Sequence, residues 1–397
     1  MIKNFRPVKR DWIILTITVL MIIVTTYVHT NSPLTFRRLA IYAQIPVSQF
    51  DIRCSNNAPK FLRDLMHYTI SSQYSLNNQI VFVSKTGEVF HCESGWEDGF
   101  LGSKPVTVDS HFVYASVSKV LTSAMVLRLV NEGKLSLNDK LVDVLKIHDL
   151  KDKRIAEIDI AMLLEHRAGF DRFKTFTPML TAGKKPWCPT NLTYLSEVTL
   201  DFEPNTQFQY SNVGYCLLGA IVEKVEGKPF MVAAEEMYQL KKRNIRFVQS
   251  DVMDDEIAYD YRFEDFYGEG WRKDFDFDES LMAVAGLSGS AKNMALLVRE
   301  MKQEKPLNIL SRSTMPCAIN IIDGCYGYAM KPYQGIGENY TLYNKDGHFP
   351  GVETDIYMDD LGNILAVYRG TSLGDYDKLP KFRQYIYQVM TSAVVNQ

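Results

Sequence analysis

The sequence has almost no net charge. Its 397 residues include 44 Lys and Arg against 47 Asp and Glu, a formal net charge of −3. A chain without a basic excess lacks the electrostatic field that proteins use to bind nucleic acid, so we expect no nucleic-acid partner. Internal repeats and low-complexity tracts are also missing, which excludes repeat architectures. The 46% of hydrophobic residues suffice for a sizeable core, in one large domain or two closely joined lobes.

Metal-binding spacings are missing as well. Neither Cys-x-x-Cys nor His-x-x-x-His occurs among the six cysteines and seven histidines, so we predict no metal site. Residues 251–280 are acidic and rich in aromatic side chains, but their spacing does not fit a calcium-binding EF-hand. We interpret this stretch as a solvated insertion or as a lid or wall of a cleft.

The N-terminus combines basic residues with an apolar run. Four basic side chains precede an apolar segment of seventeen residues, Trp12 to Val28. As a helix this segment spans about 25 Å, near the lower limit for crossing a bilayer. The run is longer than the core of a typical signal peptide, and no Ala-x-Ala-like cleavage site follows it. We therefore favour an uncleaved anchor over a cleaved signal peptide.

The charge flanking this run sets the expected topology. Basic residues before the span place the N-terminus in the cytoplasm and the remainder in the periplasm or outside the cell. The predicted division of the chain is a cytoplasmic tail (1–11), a transmembrane anchor (12–30), a stalk (31–58) and a folded domain (59–397). Disulfides are permitted in such a compartment. Cys317 and Cys325 are a plausible pair, whereas Cys216 lies in an apolar helical run and is predicted to be a buried free thiol.

Strand patterns lie at both ends of the domain and helical patterns in the middle. The economical interpretation is an α+β fold, in which an antiparallel sheet is built from both chain ends, terminal helices flank it and a helical lobe is inserted. The predicted strands are 79–84, 88–93, 339–344, 352–358 and 363–369, and the predicted helices include 115–132, 211–228 and 379–394.

The first of these helices begins with the stretch YASVSKVL. Ser116 and Lys119 are three residues apart, which places both on one helix face. A lysine in that position can take the serine proton when desolvation or a nearby positive charge lowers its pKa. The pair fits the Ser-Lys form of nucleophile and base, although an ordinary solvated helix surface gives the same pattern.

A second polar pair precedes the helix predicted over 211–228. In FQYSNVGY, Tyr210 could shuttle a proton if a lysine stabilises its phenolate, and Asn212 could hydrogen-bond a lysine and a substrate amide. The alternative is structural, with Ser211 or Asn212 acting as a helix N-cap.

A third candidate lies near the C-terminus, in YNKDGHFPG. Lys345, Asp346 and Gly347 follow a strand-like run, and the glycine would let a substrate lie against the strand edge. The backbone N–H of His348 could join that of Ser116 as an oxyanion hole. A hairpin turn is the alternative interpretation.

The order of these three pieces resembles the serine β-lactamase and penicillin-binding-protein superfamily. In detail the chain looks like the branch of class C β-lactamases and their relatives, which includes DD-peptidases, D-aminopeptidases and esterases. The resemblance covers roughly residues 60 to 395. The literal Lys85-Thr86-Gly87 precedes the nucleophile and is therefore interpreted as a turn, so Lys345-Asp346-Gly347 is the working triplet. Four further stretches look typical of the branch: NEGKLSLNDKL (131–141), LLEHRAGF (163–170), YSNVGYCLLGAIVEKVEGKPF (210–230) and AGLSGSAKNMALLV (285–298).

The resemblance implies a β-lactamase/transpeptidase-like fold and an acyl-enzyme formed on Ser116, with Lys119 and Tyr210 acting together as base. It implies that Asn212 and the residues 345–348 bind the substrate, and that no metal or organic cofactor takes part. Substrates would be small molecules or peptides with an ester, amide or peptide bond. A binding module that senses penicillin or cell-wall peptide without hydrolysing it is the alternative.

Asp346 departs from the family pattern, in which Thr or Ser is common at this place. The hydroxyl there helps to hold a substrate carboxylate, whereas Asp346 is an anion at neutral pH. A like charge a few ångströms away costs on the order of 1–4 kcal/mol, part of which pairing with Lys345 could cancel. We therefore expect poor β-lactamase activity and a preference for substrates without a carboxylate at that point.

Overall fold

The structure is a computed structural model that describes residues 9–31, 35–97, 103–171, 186–248, 253–257, 279–313, 315–349, 351–370 and 378–395. Within this part of the chain, a seven-stranded antiparallel sheet has the order β1-β3-β2-β10-β9-β8-β7. A three-stranded sheet has the order β4-β6-β5. The strands are β1 (Arg53–Cys54), β2 (Asn77–Val83), β3 (Val89–Ser94), β4 (Phe112–Val113), β5 (Arg246–Phe247), β6 (Leu287–Gly289), β7 (Lys331–Gln334), β8 (Thr341–Phe349), β9 (Val352–Asp359) and β10 (Ile364–Gly370).

The large sheet joins the two ends of the chain, as predicted. Strand β2 pairs antiparallel with β10 over their whole length, from Asn77 opposite Gly370 to Val83 opposite Ile364. The α+β prediction is therefore confirmed. The helices are α1 (Lys9–Asn31), α2 (Thr35–Phe50), α3 (Lys60–Gln73), α4 (Lys119–Asn131), α5 (Leu141–Leu145), α6 (Ile160–Leu164), α7 (Asn212–Glu226), α8 (Phe230–Tyr238), α9 (Glu279–Met282), α10 (Ala291–Met301) and α11 (Leu379–Val395).

Side chains of β2 alternate between two hydrophobic cores. Ile80 and Phe82 join a cluster with α3 and α11, whereas Val81 and Val83 join the larger cluster formed with the helical lobe. Successive side chains of a strand point to opposite faces, so helices cover both faces of the sheet. The result is a three-layered domain, with the terminal helices on one face and the lobe on the other.

The turn between β2 and β3 contains the literal Lys85-Thr86-Gly87 triplet. Gly87 has a φ of 96°, which glycine adopts without strain. Its N–H donates to the carbonyl of Ser84 at 2.8 Å, which closes the turn. The interpretation of this triplet as a turn is confirmed.

Part of the segment predicted as a stalk, 31–58, packs on the domain. Ile45 and Ile52 are buried in the cluster that contains α3. Strand β1 pairs with β3, and a disulfide joins Cys54 to Cys92 across that pair. A two-residue strand leaves no periodic pattern in a sequence, and Pro46 within α2 disguises the helix, so sequence patterns do not reveal this contribution.

Three disulfides join the six cysteines. The predicted pair Cys317–Cys325 is confirmed. The prediction of a free thiol at Cys216 is wrong, because this residue is bonded to Cys188. The apolar pattern around Cys216 correctly indicated burial, but it could not identify the side chain lying opposite. Most of the acidic stretch 251–280 lies outside the described residues.

Candidate active site

Ser116 lies in a short 3-10 helix, Ala115–Ser118, that directly precedes α4. Ala115 has a φ of 47°, in the left-handed region that costs a residue with a side chain about 1–3 kcal/mol. The backbone N–H of Tyr114 donates to the carbonyl of Leu287 at 2.8 Å, which ties this turn to β6. Packing against β6 therefore holds a strained backbone just before the serine.

Two polar side chains converge on the hydroxyl of Ser116. The Nζ of Lys119 lies 3.1 Å from Ser116 Oγ, and the hydroxyl of Tyr210 donates to the same oxygen at 2.8 Å. Lys119 is fully buried and also donates to the carbonyl of Val284 at 2.9 Å. The serine itself is half-buried, so a substrate can reach it. The structure thus brings together the residues that the sequence placed 94 positions apart.

Lys345 lies on the other side of the tyrosine. Its ammonium group is 5.1 Å from the centre of the Tyr210 ring, and so is that of Lys119. Burial lowers the pKa of Lys345 to about 8, an effect that neighbouring Asp346 partly opposes. A cation placed against an aromatic ring is stabilised by it, and here two cations flank the same phenol. Negative charge on Tyr210 would therefore be stabilised electrostatically.

Asp346 belongs to a ring of four alternating charges, the charge ring, with Lys331, Asp323 and Arg383. Lys331 Nζ lies 2.5 Å from Asp346 and 2.6 Å from Asp323. Arg383 contacts both carboxylates as well: its Nη2 lies 3.2 Å from Asp346 Oδ2, and its Nη1 contacts Asp323 Oδ2. Burial alone would raise the pKa of Asp346, but the two cations hold it well below its usual range. Asp346 thus keeps its charge and is compensated.

This ring corrects the partner expected for Asp346. Pairing with Lys345 is the compensation that the sequence suggests for this carboxylate, but Lys345 Nζ donates to the backbone carbonyl of Asp346 instead, at 3.2 Å. The partners of the carboxylate come from β7 and α11, which are distant in sequence and could not be inferred from it.

Gly347 lies within β8, directly against the turn that carries the serine. A Cβ added there would lie 2.9 Å from the N of Ser116 and 2.6 Å from Oγ1 of Thr354, and it would overlap the carbonyl of Tyr114. The absent side chain therefore faces the protein and keeps the space before the Ser116 amide clear. Residues 345–348 continue a strand that runs to Phe349, so the hairpin alternative is wrong.

Asn212 begins α7, two residues after Tyr210. Its Oδ1 is buried and has no hydrogen-bond partner within the described residues, so the bond expected from Lys119 is not formed. Ser211 occupies the N-cap position but makes no capping bond with its side chain. The amide oxygen of Asn212 is therefore a buried acceptor without a partner, two residues along the chain from Tyr210.

His166 was missed as a site residue. It is buried, has a left-handed φ of 56° and accepts a hydrogen bond from the N–H of Ser211 at 3.1 Å. Its ring centre lies 4.4 Å from that of Tyr210. Burial, with Lys345 and Lys119 nearby, lowers the pKa of His166 well below its usual value, so the ring is neutral. The sequence showed this histidine only inside the stretch LLEHRAGF, with no motif to give it a role.

These residues open onto a cleft of about 240 Å³ beside β8. Phe208, Tyr326, Asp323 and Lys331 form walls that the sequence did not predict. Among the described residues no group of three His, Cys, Asp or Glu side chains could hold a metal ion. The cleft is lined by Ser116, Phe208, Tyr210, Asp323, Tyr326, Lys331, Lys345, Asp346 and His348.

A buried lysine and a tyrosine that share a serine hydroxyl, between a helical lobe and an antiparallel sheet, define the serine hydrolases of β-lactamase type. The chain belongs to the Beta-lactamase family, whose model matches residues 61–375.

The chain is also similar to several known proteins. The probable fimbrial assembly protein FimD, serogroup H1, of Dichelobacter nodosus is 52% identical over 394 residues, which cover 99% of each chain. The D-amino acid amidase of Ochrobactrum anthropi SV3, solved with D-phenylalanine, has a TM-score of 0.67 at 17% identity and covers 85% of this chain and 99% of its own. EstCE1, a hydrolase with promiscuous acyltransferase activity, has a TM-score of 0.63 at 19% identity, covering 79% and 93%. The two structures show the fold.

Proposed function

We propose that this protein is a membrane-anchored, extracytoplasmic serine hydrolase that cleaves an ester, amide or peptide bond through an acyl-enzyme. The observation that carries the proposal is the convergence of Lys119 and Tyr210 on Ser116 Oγ, at 3.1 and 2.8 Å. Hydrogen-bond reach between nucleophile and base is the geometry that this chemistry needs. Burying a lysine beside the serine costs free energy. A serine without a catalytic role would not require that cost, so the buried lysine supports the proposal.

In acylation, Ser116 Oγ attacks the substrate carbonyl and its proton passes to the Lys119–Tyr210 pair. The backbone N–H groups of Ser116 and His348 hold the oxyanion, and such a donor typically contributes about 10²–10³-fold in rate. The proton then passes to the leaving group as the bond to carbon breaks, which leaves the acyl group on Ser116.

In deacylation the same pair takes a proton from water, the hydroxide adds to the acyl carbon, and Ser116 recovers its proton as the acid leaves. Lys345 supplies a positive field beside Tyr210 throughout. Asn212 offers its unpartnered Oδ1 to a substrate N–H.

The N-terminal helix supports the membrane location. Helix α1 is long and apolar enough to cross a bilayer, and none of its residues is buried by the protein. The three disulfides favour an oxidising compartment for the domain that follows.

The test is to treat the purified protein with a fluorophosphonate probe and a labelled penicillin, and to measure hydrolysis of p-nitrophenyl esters, D-amino-acid amides and a D-Ala-D-Ala peptide. We expect labelling and turnover, and Ser116→Ala should lower kcat by at least about 10³-fold. Stable labelling without turnover favours the sensor alternative. Turnover that survives in Ser116→Ala would rule out the acyl-enzyme.

A second candidate function is a role in fimbrial assembly. The observation that favours it is the identity of 52% over 99% of both chains to a protein named for that process. The experiment deletes the gene in its host and counts surface fimbriae by electron microscopy. Restoration by the wild-type protein but not by Ser116→Ala would make hydrolysis part of assembly, and unchanged fimbriae after deletion would exclude the role.

A further inference from the structure

A second chamber of about 150 Å³ adjoins the catalytic cleft. The two cavities share Phe208 and Tyr326, whose rings stack with centres 5.7 Å apart and an interplanar angle of 24°. These two rings therefore form a partition with the cleft on one side and the second chamber on the other. We call this second cavity the arginine chamber, after Arg167 and Arg312 in its wall.

Neither arginine pairs with a carboxylate within the described ranges. Arg167 donates to the side chain and the carbonyl of Asn205, at 3.1 and 3.0 Å, and both acceptors are neutral. Arg312 reaches only the sulfur atoms of the Cys317–Cys325 disulfide, at 3.6 and 3.9 Å, and sulfur is a weak acceptor. Within the described residues both guanidinium groups therefore lack an anionic partner and keep most of their donors for a ligand.

One carboxylate, Glu165, also lines the chamber. Its two oxygens accept hydrogen bonds from the N–H and the hydroxyl of Ser313, each at 2.9 Å. This carboxylate is thus held by the loop, and the chamber retains an excess of one positive charge over the three groups.

The charge ring of the catalytic cleft has the opposite character. In its charge ring each cation contacts both carboxylates, so the ring is neutral as a unit. A substrate anion therefore gains little from the charge ring, and the other two cations near the cleft, Lys119 and Lys345, lie against the ring of Tyr210. Uncompensated donors in a planar fork, which suit a carboxylate, lie instead beyond the aromatic partition.

We propose that the arginine chamber binds a carboxylate of the substrate, while the scissile carbonyl lies at Ser116 and the connecting atoms pass the partition formed by Phe208 and Tyr326. This inference rests on the proposed hydrolase function and adds a substrate class to it: esters or amides with a carboxylate remote from the reacting bond.

The kinetic test uses two matched pairs of substrates. One pair is p-nitrophenyl butyrate and mono-p-nitrophenyl glutarate, with the carboxylate on the acyl part. The other is phenyl acetate and 3-acetoxybenzoate, with the carboxylate on the leaving group. In at least one pair the anionic member should have a kcat/KM about tenfold higher, and Arg312→Gln and Arg167→Gln should each remove most of that preference. Arg63→Gln, on α3 and outside both cavities, is the matched control and should keep it.

A binding measurement separates this inference from the function on which it rests. Ser116→Ala is titrated calorimetrically with 3-hydroxybenzoate and with its neutral counterpart, 3-hydroxybenzamide. We expect 3-hydroxybenzoate to bind more tightly than the amide, and this difference should disappear when Arg312→Gln is added. That result supports carboxylate binding in the arginine chamber, even if no ester is hydrolysed and the proposed function fails. Equal binding of the two compounds, or ester turnover with no preference for the anionic member of either pair, overturns the chamber and leaves the hydrolase intact.

Discussion

At the scale of single residues, the site depends on how Tyr210 is held. Its hydroxyl must reach Ser116, and its ring lies between two lysines. His166 contacts the tyrosine from a third direction and fixes the backbone of the next residue, Ser211. A neutral ring with one nitrogen accepting that N–H suits this role, since a charged imidazolium could not accept the bond.

His166 is therefore expected to act as a positioning residue, and two variants separate its contributions. His166→Phe keeps a ring against Tyr210 but removes the acceptor and leaves a buried N–H unpaired, which costs about 1–3 kcal/mol. We expect kcat to fall about tenfold with KM little changed. His166→Asn tolerates the left-handed backbone and can still accept the bond, so it should recover much of kcat. A fall in melting temperature with unchanged kcat in the Phe variant would contradict the positioning role.

Lys345 gives the site a pH dependence. Its pKa is about 8 in the folded protein against 10.5 ordinarily, so it loses its positive charge as the pH rises through 8. We expect kcat/KM to fall above that pH, because the field beside Tyr210 disappears. Lys345→Met should be slower at neutral pH and should lack this alkaline limb. If kcat/KM of the Met variant falls above pH 8 in the same way, the pH dependence belongs to another group.

The same lowered pKa has a defined effect on stability. Between about pH 8 and 10.5 the unfolded chain binds this proton more strongly than the folded protein does. The contribution of Lys345 to the free energy of unfolding therefore increases with pH across that window.

At the scale of elements, the close approach of β8 to the serine turn determines the geometry of the proposed oxyanion site. The approach is possible because residue 347 has no side chain. This is a packing requirement between two parts of the fold, whereas the sequence suggested that the glycine makes room for the substrate.

Gly347→Ala tests that requirement. The added methyl group overlaps backbone atoms of Tyr114 and Ser116, which cannot move aside as a flexible side chain can. We expect kcat/KM to fall at least about 100-fold, and the free energy of unfolding to fall by about 1–3 kcal/mol through overpacking. Gly214→Ala in α7 is the matched control, because its nearest contact would be an ordinary 3.7 Å. Wild-type activity in the Gly347 variant would show that β8 does not need this approach.

At the scale of the whole molecule, the N-terminal segment has two parts with different roles. Helix α1 buries no residue, whereas Ile45, Ile52 and the Cys54–Cys92 disulfide belong to the domain. Removing α1 should therefore leave the domain intact, and removing the rest of the segment should not.

Two truncations check this division. A protein that starts at residue 35 should move from the membrane fraction to the soluble fraction with an unchanged melting temperature. A protein that starts at residue 59, the boundary predicted from the sequence, should be less stable by about 2–5 kcal/mol, because it loses a native disulfide and β1. Equal melting temperatures for the two proteins would contradict this division and would show that residues 35–58 do not stabilise the domain.

The sequence alone predicted the class of fold and the three side chains that meet in the structure, Ser116, Lys119 and Tyr210. Strand patterns at both chain ends predicted the sheet, because periodicity follows directly from backbone geometry, whereas the three side chains were chosen by the resemblance of the motif order to a known family. Local patterns also identified the Gly87 turn and the short disulfide loop of Cys317 and Cys325.

Only the tertiary structure decided which distant side chains meet. The partner of Cys216, the charge ring around Asp346 and the contact of His166 with Tyr210 each join elements that lie far apart along the chain. A sequence pattern reports which face of an element is buried, but the side chain that lies opposite is set by how the layers pack. The walls of the cleft therefore depend on contacts that only the folded structure defines.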